Sequence, residues 1–215
     1  MLLPDARQAI VTTCQELSRT GQVVGTAGNV SVREGDLVAV TPSGLRYADL
    51  TPELVGVHRL DGTPVEAPLG PTSELPLHLA IYDARPEVGA IVHTHSVAAT
   101  ALSTLVDEIP PVHYYLAMFG GPVLVSPYAT YGTETLARNV VQALRDRTGC
   151  LMGNHGAVTI GPDLVTAHDK SVYLEWLCDV YLRASSAGSP RLLSALEMDA
   201  VGVKMKGYGQ RPPTA

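Results

Sequence analysis

Two imidazoles stand two residues apart in Ile91-Val92-His93-Thr94-His95-Ser96, inside an otherwise apolar and small-residue run. In an extended segment, residues i and i+2 point to the same side. His93 and His95 can therefore converge on one point while Thr94 turns away. Zinc takes imidazole nitrogens at about 2.0–2.1 Å, and a catalytic site keeps three protein ligands plus an open position. The third candidate is His155, held between Gly153 and Gly156 at the end of another short β segment, where glycine permits a tight turn that aims a side chain at a pocket. The pair by itself also fits two ordinary polar residues at a strand end. Three histidines at strand termini strengthen the joint case, because a sheet gathers its strand ends. His58, His78, His113 and His168 have no such spacing, and His58 and His168 read as surface or satisfied polar residues.

Glu74 sits in Pro71-Thr72-Ser73-Glu74, where a helix should begin. Acids in a first turn are ordinary helix-start chemistry. Beside a metal the same carboxylate could be a ligand or a general base. Three turns offer hydroxyls and backbone N–H groups to an anion: Gly25 to Ser31, Thr41 to Gly44, and Thr72 with Ser73 at a helix N-terminus. None has the spacing of a P-loop or a dinucleotide fingerprint, and each alone also reads as a plain turn. Tyr114, Tyr115, Tyr128, Tyr131 and Tyr208 fall in predicted loops or helix starts, where a phenol can donate a proton or simply pack its ring.

The elements that must position these groups follow from periodicity and turn residues. Helices are predicted over Asp5–Thr20 (stopped by Gly21), Leu75–Ala84 (capped by Thr72 or Ser73 and ended before Pro86), Ser96–Leu105, Gly132–Arg147 and Asp163–Ala187. Strands are predicted after the Gly25–Gly28 turn, over Asp36–Thr41, as a pair within Leu54–Val65 joined by Asp61-Gly62, and at Ala90–His95, Pro122–Ser126, Gly149–Met152 and Ala157–Ile160. Strands and helices mix without a strict βαβ rhythm, which predicts a mixed sheet covered by helices. The 215 residues suffice for one sizeable domain and are short for two, so residues 1–215 are read as a single domain with a loosely attached tail from about Gly202.

The formal net charge is −6, with lysine only at 170, 204 and 206. That balance argues against a nucleic-acid groove or a basic membrane-binding face. An anionic ligand would then be held by backbone amides, hydroxyls or a metal. No segment approaches the roughly 18 apolar residues of a membrane span, and no secretory signal is evident at the N-terminus. The cysteines at 14, 150 and 178 are odd in number and lack a CxxC pair, which reads as free thiols in a reducing, cytoplasmic compartment.

In order along the chain, GTAGNVSVR, TPSG, PTSE, VHTHS, IPPVHYY, PYATYGT and NHGAVTIG resemble the motifs of the class II aldolase/adducin family, in collinear order from about Asp5 to about Ala184. The resemblance implies a three-layer α/β/α fold around a central, mostly antiparallel mixed sheet. It implies that His93, His95 and His155 bind zinc or another divalent transition metal. Glu74 would complete the metal shell in the empty site and move aside to handle protons when substrate binds. Gly28, Asn29, Ser43, Gly44, Thr72 and Ser73 match the phosphate-binding turns. Tyr114 matches a tyrosine that protonates the aldehyde-derived oxygen in a neighbouring subunit's site, and Tyr208 is matched to a second tyrosine on the C-terminal tail. Active sites would lie between subunits of a homotetramer. The implied reaction is reversible cleavage of a ketose 1-phosphate, of the L-fuculose 1-phosphate kind, to dihydroxyacetone phosphate and a small aldehyde such as L-lactaldehyde. No Schiff-base lysine is required, in keeping with the absence of lysine before Lys170.

The family also contains epimerases, dehydratases, decarboxylases and a non-catalytic adducin-like binding module, so fold alone does not fix function. Epimerase relatives carry Asp at the Glu74 position and a further catalytic Asp. Here the position is Glu and no acid lies between Ile109 and Thr133. A binding module should have lost the metal-ligand histidines, all of which are present.

Overall fold

The computed structural model describes residues 1–205 and Gly207. Nine strands form one sheet: β1 (Asn29–Glu34), β2 (Leu37–Val40), β3 (Gly56–Arg59), β4 (Pro64–Glu66), β5 (Ala90–Thr94), β6 (Glu108–Ile109), β7 (Val123–Ser126), β8 (Gly149–Met152) and β9 (Gly156–Gly161). Their order is β4-β3-β2-β1-β5-β9-β8-β7-β6. Every neighbouring pair is antiparallel except β7 with β8, which is parallel. The sheet is thus the mixed, mostly antiparallel one expected, and helices cover both of its faces.

Alternation along each strand sorts side chains between the two faces. On one face Val38, Ile91, Cys150 and Val158 pack under α2 (Leu75–Ala84) and α4 (Glu134–Ala143), through Leu77, Ile81, Leu136 and Val140. On the other face Val30, Val57 and Val92 meet α1 (Pro4–Arg19) and the start of α5 (Leu164–Ala187). Further along that face Leu151 and Ala157 pack with α3 (Val97–Leu102), with a 3-10 helix over Tyr114–Phe119, and with Leu174 and Leu177 of α5. Each such large apolar side chain contributes about 1.5–3 kcal/mol on leaving water. The result is a three-layer α/β/α architecture with the sheet in the middle. Among the described residues no helix is long and apolar enough to cross a membrane.

Local chemistry sets the helix starts. The Asp163 carboxylate accepts from Thr166 N at 2.7 Å and caps α5; the Thr133 hydroxyl accepts from Leu136 N at 3.3 Å and caps α4. Each cap is worth about 1 kcal/mol. At α2 the expected cap is displaced. Glu74 itself is the N-cap residue, and the Thr72 hydroxyl accepts from Glu74 N at 3.2 Å in the turn before it. Elements not foreshadowed by periodicity include the two-residue strand β6, the Tyr114–Phe119 turn, and α6 (Ala195–Met205), a helix that runs through Gly202 and fully buries none of its residues. Leu193 N bonds Pro111 O at 2.9 Å, which ties the approach to α6 onto the loop before the 3-10 helix. His58 is not a surface residue. It is 2% exposed, with Nδ1 3.3 Å from Gly62 O.

Cys14, Cys150 and Cys178 are unpaired and buried, and burial pushes the Cys150 thiol up to about 12. A thiol that is neither accessible nor ionised is a poor nucleophile. Ellman's reagent should therefore titrate none of the three in the folded protein and all three after denaturation. Rapid labelling of the native chain would show that these core positions open.

Candidate metal centre and anion pocket

The sheet delivers the imidazoles to one place. His93 lies on the same face of β5 as Ile91 and is fully buried; His95 follows immediately after the strand ends. His155 sits in the turn between β8 and β9, and β9 pairs directly with β5, with His93 opposite Val158. The three ring centroids are 4.8–4.9 Å apart and the ring planes cross at 62–86°. One nitrogen from each ring falls within 4.8 Å of the others.

Two glycines make this approach possible. A Cβ on Gly156 would stand 2.2 Å from Thr94 O, so only glycine lets β9 come this close to β5 between two of the histidines. Gly28 has φ +83°, and a Cβ there would stand 2.8 Å from His93 O. Asn154, next to His155, takes the left-handed conformation at φ 55°, which asparagine tolerates better than most residues.

Hydrogen bonds fix which nitrogens face inward. His93 Nδ1 lies 2.9 Å from the carbonyl of Ala157, so it carries a proton and leaves Nε2 facing the other two rings as the candidate donor. His93 Nε2 is 3.0 Å from His95 Nε2 and 3.1 Å from Glu74 Oε2. Burial, reinforced by charge on His93, lowers His95 to about 3 and His155 to about 4, so both rings are neutral near pH 7. For His93, burial acts in the same direction but is outweighed by the charge and hydrogen bond of Glu74, which raise it.

Glu74 is 4% exposed. Burial pushes its pKa up, yet His93 and the hydrogen bond from Asn29 outweigh that and hold it well below the usual carboxylate range. Oε2 accepts from Asn29 Nδ2 at 2.8 Å. Oε1 is buried with no hydrogen-bond partner and points toward His155 Nε2, 3.7 Å away. Imidazole nitrogens aimed at one point beside an orphaned carboxylate oxygen form a donor set that suits a divalent transition metal, and it does not by its chemistry choose zinc over manganese or cobalt.

Above this cluster opens a cavity of about 570 Å³. Gly28, Asn29, Ser43, Gly44, Thr72 and Ser73 all line it, as do Glu74, His95 and His155. Ser43 N bonds Gly70 O and Thr72 N bonds Thr41 O, each at 3.0 Å, so the two hydroxyl-bearing turns are tied together at its mouth. Among the described residues no lysine or arginine lines it, and an anion held there meets hydroxyls and backbone dipoles. Tyr128 and Tyr131 also line the cavity, through a motif noticed in the sequence but given no role there. Tyr114 does not line it. That ring stacks on His113 at 4.4 Å, in an aromatic group with Tyr115 and Trp176, and is 42% exposed. Tyr208 lies outside the described residues.

Sequence reasoning overlooked the support behind Glu74. His78, one turn further along α2, is fully buried between Asn29 Oδ1 (2.5 Å from Nε2) and Ser31 Oγ (2.6 Å from Nδ1), and Ser31 Oγ in turn lies 2.8 Å from the Tyr82 hydroxyl. Burial lowers His78 to about 3, so the ring is neutral. A signal existed: Glu74 and His78 are four residues apart, the spacing that shares a helix face.

The family model for the class II aldolase and adducin N-terminal domain matches residues 8–182. A 5-deoxy-D-ribulose 1-phosphate aldolase of Bacillus thuringiensis serovar kurstaki is 38% identical, over 98% of this chain and 100% of its own length. An L-fuculose phosphate aldolase of Escherichia coli K12 is 39% identical over 96% of each chain. Among solved structures, an L-fuculose 1-phosphate aldolase superposes with a TM-score of 0.91 at 34% identity, covering 94% of this chain and 96% of that one.

Gly156→Ala tests the strand contact on which the cluster depends. Overpacking of this kind costs about 1–3 kcal/mol, and wedging β9 from β5 separates His93 from His155. The variant should lose stability in urea denaturation and lose bound metal by elemental analysis in parallel. Wild-type values of both would show that the close approach is not required.

Proposed function

Because the chain belongs to the class II aldolase and adducin family, we propose that it is a metal-dependent aldehyde-lyase, splitting a ketose 1-phosphate reversibly into dihydroxyacetone phosphate and a small aldehyde. The observation that carries the reading is the meeting of His93, His95, His155 and the unpartnered Oε1 of Glu74 at the floor of a cavity lined, among the described residues, by hydroxyls and no side-chain cation.

Cleaving the bond between C3 and C4 leaves negative charge on the three-carbon fragment. A divalent cation held by the three imidazoles, zinc in our reading, supplies Lewis-acid stabilisation of that charge. Asn29, Ser43, Gly44, Thr72, Ser73 and the backbone at Gly28 hold the phosphate and so fix the position of C1 to C3. Glu74 takes and returns a proton through Oε1, which lacks a protein partner, as a positioned carboxylate does in general acid–base catalysis. Tyr114, exposed and remote from the cavity of its own chain, would act as proton donor in the site of a second copy. This supports a homotetramer with sites between subunits. Tyr208 is proposed as a second such donor. The three free cysteines support a cytoplasmic location.

The aldehyde half is open between two named precedents. One relative is named for 5-deoxy-D-ribulose 1-phosphate and another for L-fuculose phosphate, at 38% and 39% identity. The released aldehydes, acetaldehyde and L-lactaldehyde, differ in length and in one hydroxyl. A pocket that only accommodates an added hydroxyl discriminates weakly, on the order of a hundredfold.

Both ketose phosphates, with a panel of pentulose and hexulose 1-phosphates, should be assayed for release of dihydroxyacetone phosphate. At least one should be cleaved, and chelation of the metal should abolish cleavage. Recovery of only epimerised or dehydrated product would replace the lyase reading with another activity of the family. Glu74→Gln should keep its metal while kcat/KM falls by about 10²–10⁴, the usual range for loss of a general acid–base. Undiminished cleavage by that variant would remove Glu74 from the chemistry.

A further inference from the structure

A carboxylate at one end dictates the direction of every hydrogen bond in the buried chain behind it. Ionised Glu74 can only accept, so Asn29 must present Nδ2 to it, 2.8 Å from Oε2. The same amide then turns Oδ1, an acceptor, toward His78 Nε2, so Nε2 must carry the ring proton. A neutral ring protonated at Nε2 has a bare Nδ1, which accepts from the Ser31 hydroxyl at 2.6 Å. Ser31, having donated its proton, accepts from the Tyr82 hydroxyl at 2.8 Å. With the ring neutral and Glu74 ionised, the order Tyr82 → Ser31 → His78 → Asn29 → Glu74 is the only assignment in which no two acceptors face each other.

The elements leave little freedom in this chain. His78 and Tyr82 lie on α2, four residues apart, while Asn29 and Ser31 lie on β1, two residues apart on the same face. Ser31, His78 and Tyr82 are each 1% exposed or less and Asn29 is 4% exposed, so no water replaces a lost partner cheaply. None of their side-chain polar atoms is without a partner.

From this juxtaposition we infer that His78 is a positioning residue: held as its Nε2–H tautomer by Ser31, it locks the Asn29 amide with its N–H toward Glu74 and its oxygen away. Without the ring proton, only the bond to Glu74 opposes rotation of the Asn29 amide. A flipped amide would set its oxygen against the carboxylate and push Glu74 from the place where it handles protons. His78 touches neither the cavity nor a ligand; it acts through Asn29.

The kinetic part of the test rests on the aldolase reading, and the spectroscopic part does not. In ¹⁵N-labelled, zinc-loaded protein at neutral pH, His78 should show a protonated Nε2 and a bare Nδ1. The side-chain amide protons of Asn29 should be protected from exchange with water. His78→Leu keeps the volume and removes the donor; His78→Gln restores one donor and one acceptor in place of the ring. Outer-shell partners of this kind commonly carry about 10–100-fold in activity, and a loss in that range is expected for His78→Leu, falling on kcat more than on KM. His78→Gln should recover most of it, and Asn29 amide protection should be lost in the Leu variant and kept in the Gln variant. A packing role predicts the opposite order, because the apolar Leu suits the core better than Gln, so activity that follows thermal stability rather than donor content overturns the inference. So does an Nδ1–H tautomer, or full Asn29 protection in the Leu variant. If the wild-type protein cleaves no ketose phosphate, the reading of its function fails, while tautomer and amide protection still decide the role of His78.

Discussion

A carboxylate almost wholly removed from water is the constraint around which this molecule is arranged. An ionised group in that position is tolerated only when opposite charge and hydrogen bonds replace its hydration. Glu74 receives both, from His93 on β5 and from Asn29 on β1, and sits at the N-terminus of α2, where the helix dipole favours negative charge. Three elements from two layers must therefore hold their relative positions for one side chain to stay ionised. That coupling links the α2 side of the core to the centre of the sheet.

Strand register supplies the rest of the geometry. Asn29 stands opposite His93 across the β1–β5 pair, and Val158 stands opposite it across β5–β9, so the two strands flanking β5 bring Asn29 and the His155 turn to its C-terminal end. A shift of one residue would send His93 to the α1 face, among Val30, Val57 and Val92. Gly156 permits the close approach of β9, and Gly28 permits the chain to fold back over His93 O. The geometry of the histidine cluster is thus mostly a property of backbone pairing, with side chains adding only the final orientation.

Much of this was legible in the sequence, for definite reasons. The spacing of His93 and His95 encodes convergence directly, since period-two geometry is a local rule. The long helix α5 and the strands β8 and β9 came from periodicity and turn residues, within a residue or two of their observed ends. What local rules could not supply were facts of tertiary contact. Thr72 or Ser73 looked like the cap of α2, whereas the buried Glu74 occupies that position because its carboxylate is engaged across layers and not with the helix end. His58 could be read as surface or as a satisfied polar residue, and nothing near it in sequence announces the β3–β4 turn that buries it. His78 carried no pairwise spacing with another histidine, and its i+4 relation to Glu74 has meaning only once β1 lies beneath both. α6 escaped notice because its apolar stripe is short and only partly covered, with Met198, Val201 and Met205 interrupted by Gly202.

The placement of unsatisfied polar atoms joins the fold to the chemistry. From Tyr82 through Ser31, His78 and Asn29, every buried side-chain donor and acceptor finds a partner, and the chain of bonds ends on Glu74 Oε2. The other oxygen of the same carboxylate, Oε1, has none. A polar atom left bare in the interior costs about 1–3 kcal/mol, more for a charged group. That cost stands at the wall between core and cavity, 3.7 Å from Nε2 of His155, and its partner must come from the cavity side. A network satisfied everywhere would be rigid and inert, and one unsatisfied at several points would be unstable. Leaving a single charged acceptor open, at the end of a fully directed chain, gives a fold that gains from binding a cation or taking a proton at that oxygen.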